Sequence, residues 1–151
     1  MTPAVVAAER AGIPFTLHEY EHDPKAASYG LEAAEKTGVD PARVFKTLVV
    51  SQDGKLSVAI VPVAAQLDLR ALGKRAVLAD RAAAERATGY VLGGISPLGQ
   101  RKSLPTLLDE SALAFPTVYV SAGRRGLELE LAPDDLLALT NGRAQRLTSR
   151  S

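Results

Sequence analysis

The 151-residue sequence contains no cysteine, so disulfide bonds, thiolate zinc sites and cysteine nucleophiles are excluded. It contains only two histidines, His18 and His22. A Ser–His–Asp triad would have to use one of them, and no G-x-S-x-G motif marks a serine nucleophile. The two histidines alone are too few ligands for a metal ion, so we expect no metal site. The familiar motifs of hydrolytic enzymes are therefore missing from this chain.

Long apolar runs are missing as well. The most apolar stretch, residues 58–65, is too short to cross a bilayer and is interrupted by Pro62. No basic segment followed by an apolar stretch stands at the N-terminus, so we expect no signal peptide. These features predict a soluble, cytoplasmic protein that does not associate with membranes.

The net charge of +1 does not by itself indicate a nucleic-acid-binding protein, but the charges are unevenly distributed. Residues 1–40 carry three basic and seven acidic side chains, whereas residues 41–151 carry fifteen basic and ten acidic. The basic residues of the second part recur in pairs and near the C-terminus, at Lys74–Arg75, Arg101–Lys102, Arg124–Arg125, Arg143, Arg146 and Arg150. Such clusters form a phosphate-binding face if the fold gathers them, and are solvated loop charges if it does not.

Helix caps and turn signals divide the chain into short elements. Helices are predicted from a Thr2 cap to Gly12 and from a Ser28 cap to about Lys36. Asp53-Gly54, between two apolar runs, predicts a β-hairpin. Because hairpins outnumber strand–helix–strand crossovers, we expect a single α+β domain over residues 1–151 with a curved, mostly antiparallel sheet. The two hairpin strands are predicted at residues 46–51 and 56–61, and further strands at residues 15–20, 106–108, 117–121 and 127–131. Further helices are predicted at residues 67–72, 81–87 and 133–142.

Lys46 interrupts the apolar pattern of the first hairpin strand. In a strand it shares one face with Val44, Leu48 and Val50. A lysine on such a face is costly unless its ammonium group meets an anion or carbonyl groups. Lys46 is therefore either a pocket residue that binds a negatively charged or carbonyl-bearing ligand, or an edge residue that reaches solvent along its alkyl stem.

A glycine-rich segment at residues 89–99 matches neither a Walker loop nor a dinucleotide-binding fingerprint. Its paired Gly93 and Gly94 either let a ligand approach the main chain or serve a sharp turn. Ser121, at the end of a predicted strand, is likewise either a ligand contact or a cap. Glu128 alternates with leucines, which is typical of a strand with one apolar face.

Several short blocks, taken together, resemble the bacterial YbaK-type Cys-tRNA(Pro) deacylases, which are relatives of the editing domain inserted in bacterial prolyl-tRNA synthetases. The resemblance spans nearly the whole chain, and its specificity comes from the order and spacing of the blocks. The matching blocks are residues 1–5, 20–24, 46–48, 62–64, 66–69, 88–90, 93–100, 119–121 and 125–127.

The resemblance implies a curved, barrel-like sheet flanked by helices, with a cleft that receives the aminoacylated 3′ end of tRNA. It places the family's lysine at Lys46, implies catalytic positions at Lys46, Gly93, Gly94 and Ser121, and implies substrate-binding positions at Tyr20, Tyr29, Thr47 and Glu128. Two of these depart from the family, whose members often have Phe at position 29 and Asp at position 128. Each departure changes the polar lining of the implied pocket and so bears on which amino acid is accepted.

The implied reaction is cleavage of the ester that joins an amino acid to the terminal ribose, by attack of the substrate's own thiol on its carbonyl. It needs neither a cofactor nor a metal, and it fits a sequence without cysteine or an evident triad. Lys46 then serves as an anchor for the phosphate or carbonyl side of the substrate, and main-chain N–H groups near Gly93, Gly94 or Ser121 stabilise oxyanion charge. Prolyl-tRNA synthetase is the implied partner.

Two alternatives stay open, namely a deacylase that removes alanine or another small residue with water, and a non-catalytic module that binds tRNA or a synthetase.

Overall fold

The computed structural model describes residues 1–149, so that Arg150 of the predicted basic residues lies outside the described part. Four α-helices and eight β-strands follow one another along this part of the chain. The helices are α1 (Pro3–Ala11), α2 (Tyr29–Thr37), α3 (Arg81–Thr88) and α4 (Pro133–Thr140). The strands are β1 (Thr16–Glu19), β2 (Phe45–Gln52), β3 (Lys55–Pro62), β4 (Ala76–Leu78), β5 (Thr106–Asp109), β6 (Val118–Arg124), β7 (Leu127–Leu131) and β8 (Arg143–Gln145).

The first two helices begin and end where the sequence predicts. The hydroxyl of Thr2 accepts a hydrogen bond from the N–H of Val5 at the start of α1, and Ser28 caps α2 in the same way. Gly12 and Gly38 end these helices in the left-handed conformation. These caps fix the start of α2, which contributes to the site described below.

The predicted hairpin is confirmed and forms the centre of the larger sheet. β2 and β3 pair antiparallel along their whole length, from Phe45–Pro62 to Gln52–Lys55. The turn between them places Asp53 and Gly54 at positive φ angles of 52° and 81°. The five strands of this sheet have the order β4-β2-β3-β5-β8, and the second sheet has the order β1-β7-β6.

The α+β class and the mostly antiparallel pairing are confirmed, although the strands form two sheets. Among the strands of residues 1–149, β5 alone runs parallel to both of its neighbours, β3 and β8. Within residues 1–149 one bridge joins the sheets, between Val44 and Tyr119, where the N–H of Tyr119 donates to the carbonyl of Arg43 at 2.9 Å. The strands within residues 1–149 do not close into a barrel, because this bridge is not continued into a ladder between β2 and β6.

The main core fills the space between the two sheets. Alternate residues of β3 and β7 face it, including Val58 and Ile60 on one side and Leu129 and Leu131 on the other. The leucines of β7 are buried as the alternating pattern predicts, so Glu128 points away from this core. None of the helices within residues 1–149 has the length and apolarity needed to span a membrane.

Candidate active site

A pocket of about 380 Å³ lies between the start of β2, the β6–β7 hairpin, the beginning of α2 and the glycine-rich loop. It opens where the two sheets separate beyond the Val44–Tyr119 bridge. Of the eight site residues predicted from the sequence, all but Gly94 line it. The predicted lining residues are Tyr20, Tyr29, Lys46, Thr47, Gly93, Ser121 and Glu128.

Lys46 lies at an open edge and also lines the pocket, so both interpretations of its position hold. β4 pairs with only the far end of β2, from Val50 to Gln52. The first half of β2 is therefore unpaired on the side away from β3. Within residues 1–149 the ammonium group of Lys46 has no hydrogen bond and no ion pair. A half-buried cation without a protein partner is available to a ligand that carries an anion or a carbonyl group.

Thr47 follows Lys46 and lines the same pocket, although successive strand residues point to opposite faces. Residues of both faces of β2 thus contribute to the lining. The hydroxyl oxygen of Thr47 is buried and has no hydrogen-bond partner in the described part of the chain. Leaving a buried hydroxyl unpaired costs about 1–3 kcal/mol. A ligand in the pocket that hydrogen-bonds to Thr47 removes this penalty.

Glu128 is buried, at 6% exposure, and projects from β7 into the pocket. No hydrogen bond to its carboxyl group is found among residues 1–149. Burial raises the pKa of Glu128 to about 8, so its carboxyl group is neutral at pH 7. A neutral carboxyl group donates one hydrogen bond and accepts others, and Glu128 offers these to a ligand.

Ser121 lies opposite Glu128 in the β6–β7 pairing and holds the glycine-rich loop. Its hydroxyl donates to the carbonyl of Gly94 and accepts from the N–H of Gly123, both at 3.1 Å. Neither histidine is hydrogen-bonded to Ser121. His18 Nε2 lies 2.8 Å from Glu130, and His22 Nδ1 lies 2.7 Å from Glu32. Within residues 1–149, no histidine therefore lies beside the serine to act as its base.

The two paired glycines have different surroundings. Gly94 is buried behind the lining and donates its N–H to the carbonyl of Val91 at 2.9 Å, so this N–H is already used in the free protein. Gly93 lines the pocket at a φ angle of 93°, where a Cβ would lie 2.7 Å from the guanidinium of Arg125 and 2.8 Å from the ring of Tyr29. Glycine is thus required at position 93 by both conformation and space.

Arg125 is a lining residue that the sequence analysis did not place in the site. Its guanidinium carbon lies 3.5 Å from the centre of the Tyr29 ring, and its Nη2 donates to the carbonyl of Leu92 at 3.3 Å. In the sequence it belongs to a basic pair with Arg124 and to the matching block 125–127, neither of which predicts a role in the site. Of the three basic pairs, this is the one that lines the pocket.

The segment that carries Tyr20 is fastened to the β6–β7 turn and to α2, next to the pocket. The N–H of Tyr20 donates to the carbonyl of Gly126 at 2.9 Å, and burial together with the nearby Glu128 carboxyl raises the pKa of the Tyr20 phenol. The carboxylate of Glu32 binds His22 and the N–H of Asp23, which fastens residues 20–23 to α2. No group of three metal-ligating side chains is formed by residues 1–149.

Comparison with known proteins connects this geometry to a family. A family model described as an aminoacyl-tRNA editing domain matches residues 23–139. The chain is 35% identical to the protein EbsC of Enterococcus faecalis, named as a Cys-tRNA(Pro)/Cys-tRNA(Cys) deacylase, over 99% of this chain and 94% of EbsC.

Two solved structures share the fold, each with a TM-score of 0.86. One was described as a trans-editing enzyme for prolyl-tRNA synthetase, is 26% identical, and is matched over 98% of this chain and 96% of that one. The other is a scaffold protein used for epitope backbone grafting, is 27% identical, and is matched over 99% and 96%.

Proposed function

This chain belongs to the aminoacyl-tRNA editing domain family, and we propose that as a deacylase it releases cysteine from mischarged Cys-tRNA(Pro). The observation that carries the proposal is the pocket in which Lys46, Thr47 and Glu128 all lack protein partners within residues 1–149. The 35% identity with EbsC, named for deacylation of Cys-tRNA(Pro) and Cys-tRNA(Cys), supports cysteine as the amino acid.

In the proposed reaction the substrate supplies its own nucleophile. The thiol of the cysteinyl group attacks the ester carbonyl, the new C–S bond replaces the C–O bond to the ribose, and the thiol proton goes to the departing ribose oxygen. The product is a cyclic thioester, which water then opens to free cysteine. This route agrees with a pocket in which no histidine of residues 1–149 lies beside Ser121 and its hydroxyl already holds the loop. Holding the thiol and the carbonyl in contact lowers the barrier by several kcal/mol.

The lining residues take distinct parts in this proposal. Lys46 binds the carbonyl side of the aminoacyl ester through its unpaired ammonium group. Thr47 and the neutral carboxyl group of Glu128 hydrogen-bond to the polar atoms of the amino acid. Ser121 positions the main chain of the glycine-rich loop, and Gly93 leaves room for the Arg125 guanidinium and the Tyr29 ring at the pocket wall.

The proposal is tested by side-by-side deacylation of Cys-tRNA(Pro), Cys-tRNA(Cys) and Ala-tRNA(Pro). We expect release of cysteine from Cys-tRNA(Pro) and no release of alanine. Alkylating the cysteine thiol before the assay removes the nucleophile, so release from that substrate is expected to stop. Release of alanine, or of alkylated cysteine, would establish a water mechanism instead. Binding of charged tRNA without any release would make the protein a binding module.

We further propose that selection of the tRNA depends on prolyl-tRNA synthetase and that the protein acts in the cytoplasm. The small net charge of +1 supports weak intrinsic affinity for tRNA and a need for a partner. Adding the synthetase to the assay is expected to raise the preference for Cys-tRNA(Pro) over Cys-tRNA(Cys). An unchanged preference would remove the synthetase from the proposal.

A further inference from the structure

Arg125 is the half-buried arginine of the described chain that has no carboxylate partner. The other two half-buried arginines are both paired, Arg43 with Glu130 at 3.7 Å and Arg146 with Asp68 at 3.3 Å. Arg125 contacts instead the face of the Tyr29 ring and the carbonyl of Leu92. Its positive charge is therefore uncompensated at the wall of a pocket.

Three residues from two elements, α2 and the glycine-rich loop, hold this guanidinium in place. Tyr29 supplies a flat surface from the first turn of α2, and the loop supplies the carbonyl of Leu92. Gly93 completes the arrangement, because any side chain there would occupy the space of the guanidinium and the Tyr29 ring. A guanidinium carries five N–H donors, and Arg125 uses only one of them on a protein oxygen within residues 1–149. The remaining donors form the rigid, planar fork that suits an oxyanion.

The position of Arg125 indicates which part of a substrate it meets. Its neighbours on the pocket wall, Leu92 and Arg124, are both exposed, so this wall faces solvent. Glu128, by contrast, lines the same pocket and is buried, at 6% exposure. A ligand whose amino acid reaches Glu128 passes its remaining portion along the wall formed by Arg125.

We propose that Arg125 binds the phosphodiester group that precedes the terminal nucleotide of the aminoacylated RNA, with Tyr29 holding the guanidinium flat. This inference rests on the proposed function and assigns the phosphate contact to Arg125. It leaves Lys46 for the aminoacyl ester itself.

The test compares substrates with and without that phosphate. Wild type, Arg125→Ala and Arg125→Lys are assayed on cysteinyl-tRNA(Pro) and on the cysteinyl ester of adenosine, which has no phosphate. For Arg125→Ala we expect kcat/KM to fall about 10- to 100-fold on the tRNA, as for one lost charge-assisted bidentate contact, and to change less than about twofold on the ester. Arg125→Lys keeps the charge without the planar fork and is expected to recover only part of the loss.

Arg75→Ala is the control, because Arg75 is exposed, lies outside the pocket lining and is paired with Asp53 at 3.5 Å. It is expected to change kcat/KM less than about threefold on either substrate. An equal loss on both substrates for Arg125→Ala would overturn the phosphate assignment and leave Arg125 as a support for Tyr29. No loss on either substrate would overturn it as well.

A binding measurement keeps this inference separate from the proposed reaction. The dinucleotide CpA contains the phosphodiester group, and adenosine does not. We expect wild type to bind CpA more tightly than adenosine, and Arg125→Ala to lose that difference. If wild type shows the difference but releases no amino acid, the proposed reaction fails while the phosphate site stands. If wild type binds both compounds equally, the phosphate site fails whatever the activity.

Discussion

Two glutamates of β7, Glu128 and Glu130, lie two residues apart on the same face of the strand and have opposite surroundings. Glu130 accepts a hydrogen bond from Thr117 at 2.6 Å and lies 2.8 Å from His18. Burial opposes its ionisation, but these hydrogen bonds outweigh burial and lower its pKa. Glu128 has no such partners within residues 1–149, and burial alone raises its pKa to about 8. Glu130, outside the pocket lining, thus has protein partners for its carboxylate, whereas Glu128, inside it, has none among residues 1–149.

The same difference separates Arg43 from Lys46 three residues later. Arg43 donates to the carbonyl and hydroxyl of Thr117 and lies 5.4 Å above the ring of Tyr119. Lys46 has no hydrogen bond or ion pair in the described part of the chain. Groups that hold the two sheets together have protein partners, whereas groups facing the pocket are available to a substrate. Mutations in the two regions are expected to affect different properties.

The largest effect is expected for Lys46→Ala, which removes the unpaired cation. We expect deacylation of Cys-tRNA(Pro) to fall at least about 100-fold, the loss of about 2.7 kcal/mol typical of one electrostatic contact to the transition state. Stability to urea should change little, because no protein partner is left behind. Lys55→Ala at the exposed turn of the same hairpin is the control and should retain activity. A Lys46→Ala enzyme with full activity would remove this residue from the reaction.

The next effect is a change in the pH dependence of stability at Glu128. Its folded-state pKa of about 8 lies above the ordinary value of 4.5, so the folded protein retains a proton that the unfolded chain releases. Stability therefore falls as pH rises from about 4.5 to 8. Glu128→Gln, which mimics the neutral acid, should abolish this fall and exceed wild type by on the order of 2–4 kcal/mol at pH 9.

Urea unfolding of wild type and Glu128→Gln between pH 5 and 9 measures this effect. Parallel stability curves for the two proteins over that range would show that Glu128 is already ionised at neutral pH. Activity at pH 7 serves as the functional readout, because the glutamine retains the hydrogen-bonding capacity of a neutral carboxyl group. We expect it to remain within about tenfold of wild type.

Glu130 is expected to behave in the opposite way. Its lowered folded-state pKa means that its stabilising effect is complete above pH 4.5 and is lost as pH falls through the folded-state value. Glu130→Gln should destabilise the protein by about 1–2 kcal/mol at pH 7 and flatten the acid limb of the stability curve. Deacylation by the folded variant should persist. If Glu130→Gln lowers the rate of deacylation without lowering stability, Glu130 acts on the substrate and the contrast between the two glutamates is wrong.

The smallest effect is expected at Thr47, whose buried hydroxyl has no partner within residues 1–149. Thr47→Val removes the unpaired oxygen and keeps the shape of the side chain. We expect stability to rise by about 0–1 kcal/mol and deacylation to fall severalfold, because the substrate loses a hydrogen bond. Thr47→Ser, which keeps the hydroxyl, is the matched control. Destabilisation by Thr47→Val would mean that the hydroxyl already has a partner in solution.

Much of the fold follows from local signals. Caps such as Thr2 and Ser28 and the Asp53-Gly54 turn are read from neighbouring residues, and all three are confirmed. β4 and β8 were not predicted, because three-residue strands such as Ala76–Leu78 carry no periodicity and owe their pairing to distant partners. The division into two sheets was missed for the same reason.

The site was predictable only with the family resemblance. The apolar pattern alone did not decide whether Lys46 is an edge residue or a pocket residue. In the structure it is both, because β4 is too short to cover it. Arg125 was missed because its surroundings come from Tyr29 and Leu92, which are far from it in sequence. The absence of a carboxylate partner is a three-dimensional property that no local motif records.

The central claim, that unpaired groups in the pocket act on the substrate while their paired neighbours hold the fold, is tested most directly by comparing Lys46→Ala with Arg43→Ala. Both are measured for release of cysteine from Cys-tRNA(Pro) and for unfolding by urea. We predict a crossover, in which Lys46→Ala loses at least about 100-fold in activity with near-normal stability. Arg43→Ala is predicted to lose about 2 kcal/mol of stability and to retain activity when folded. Equal losses by both variants in both measurements would contradict the account.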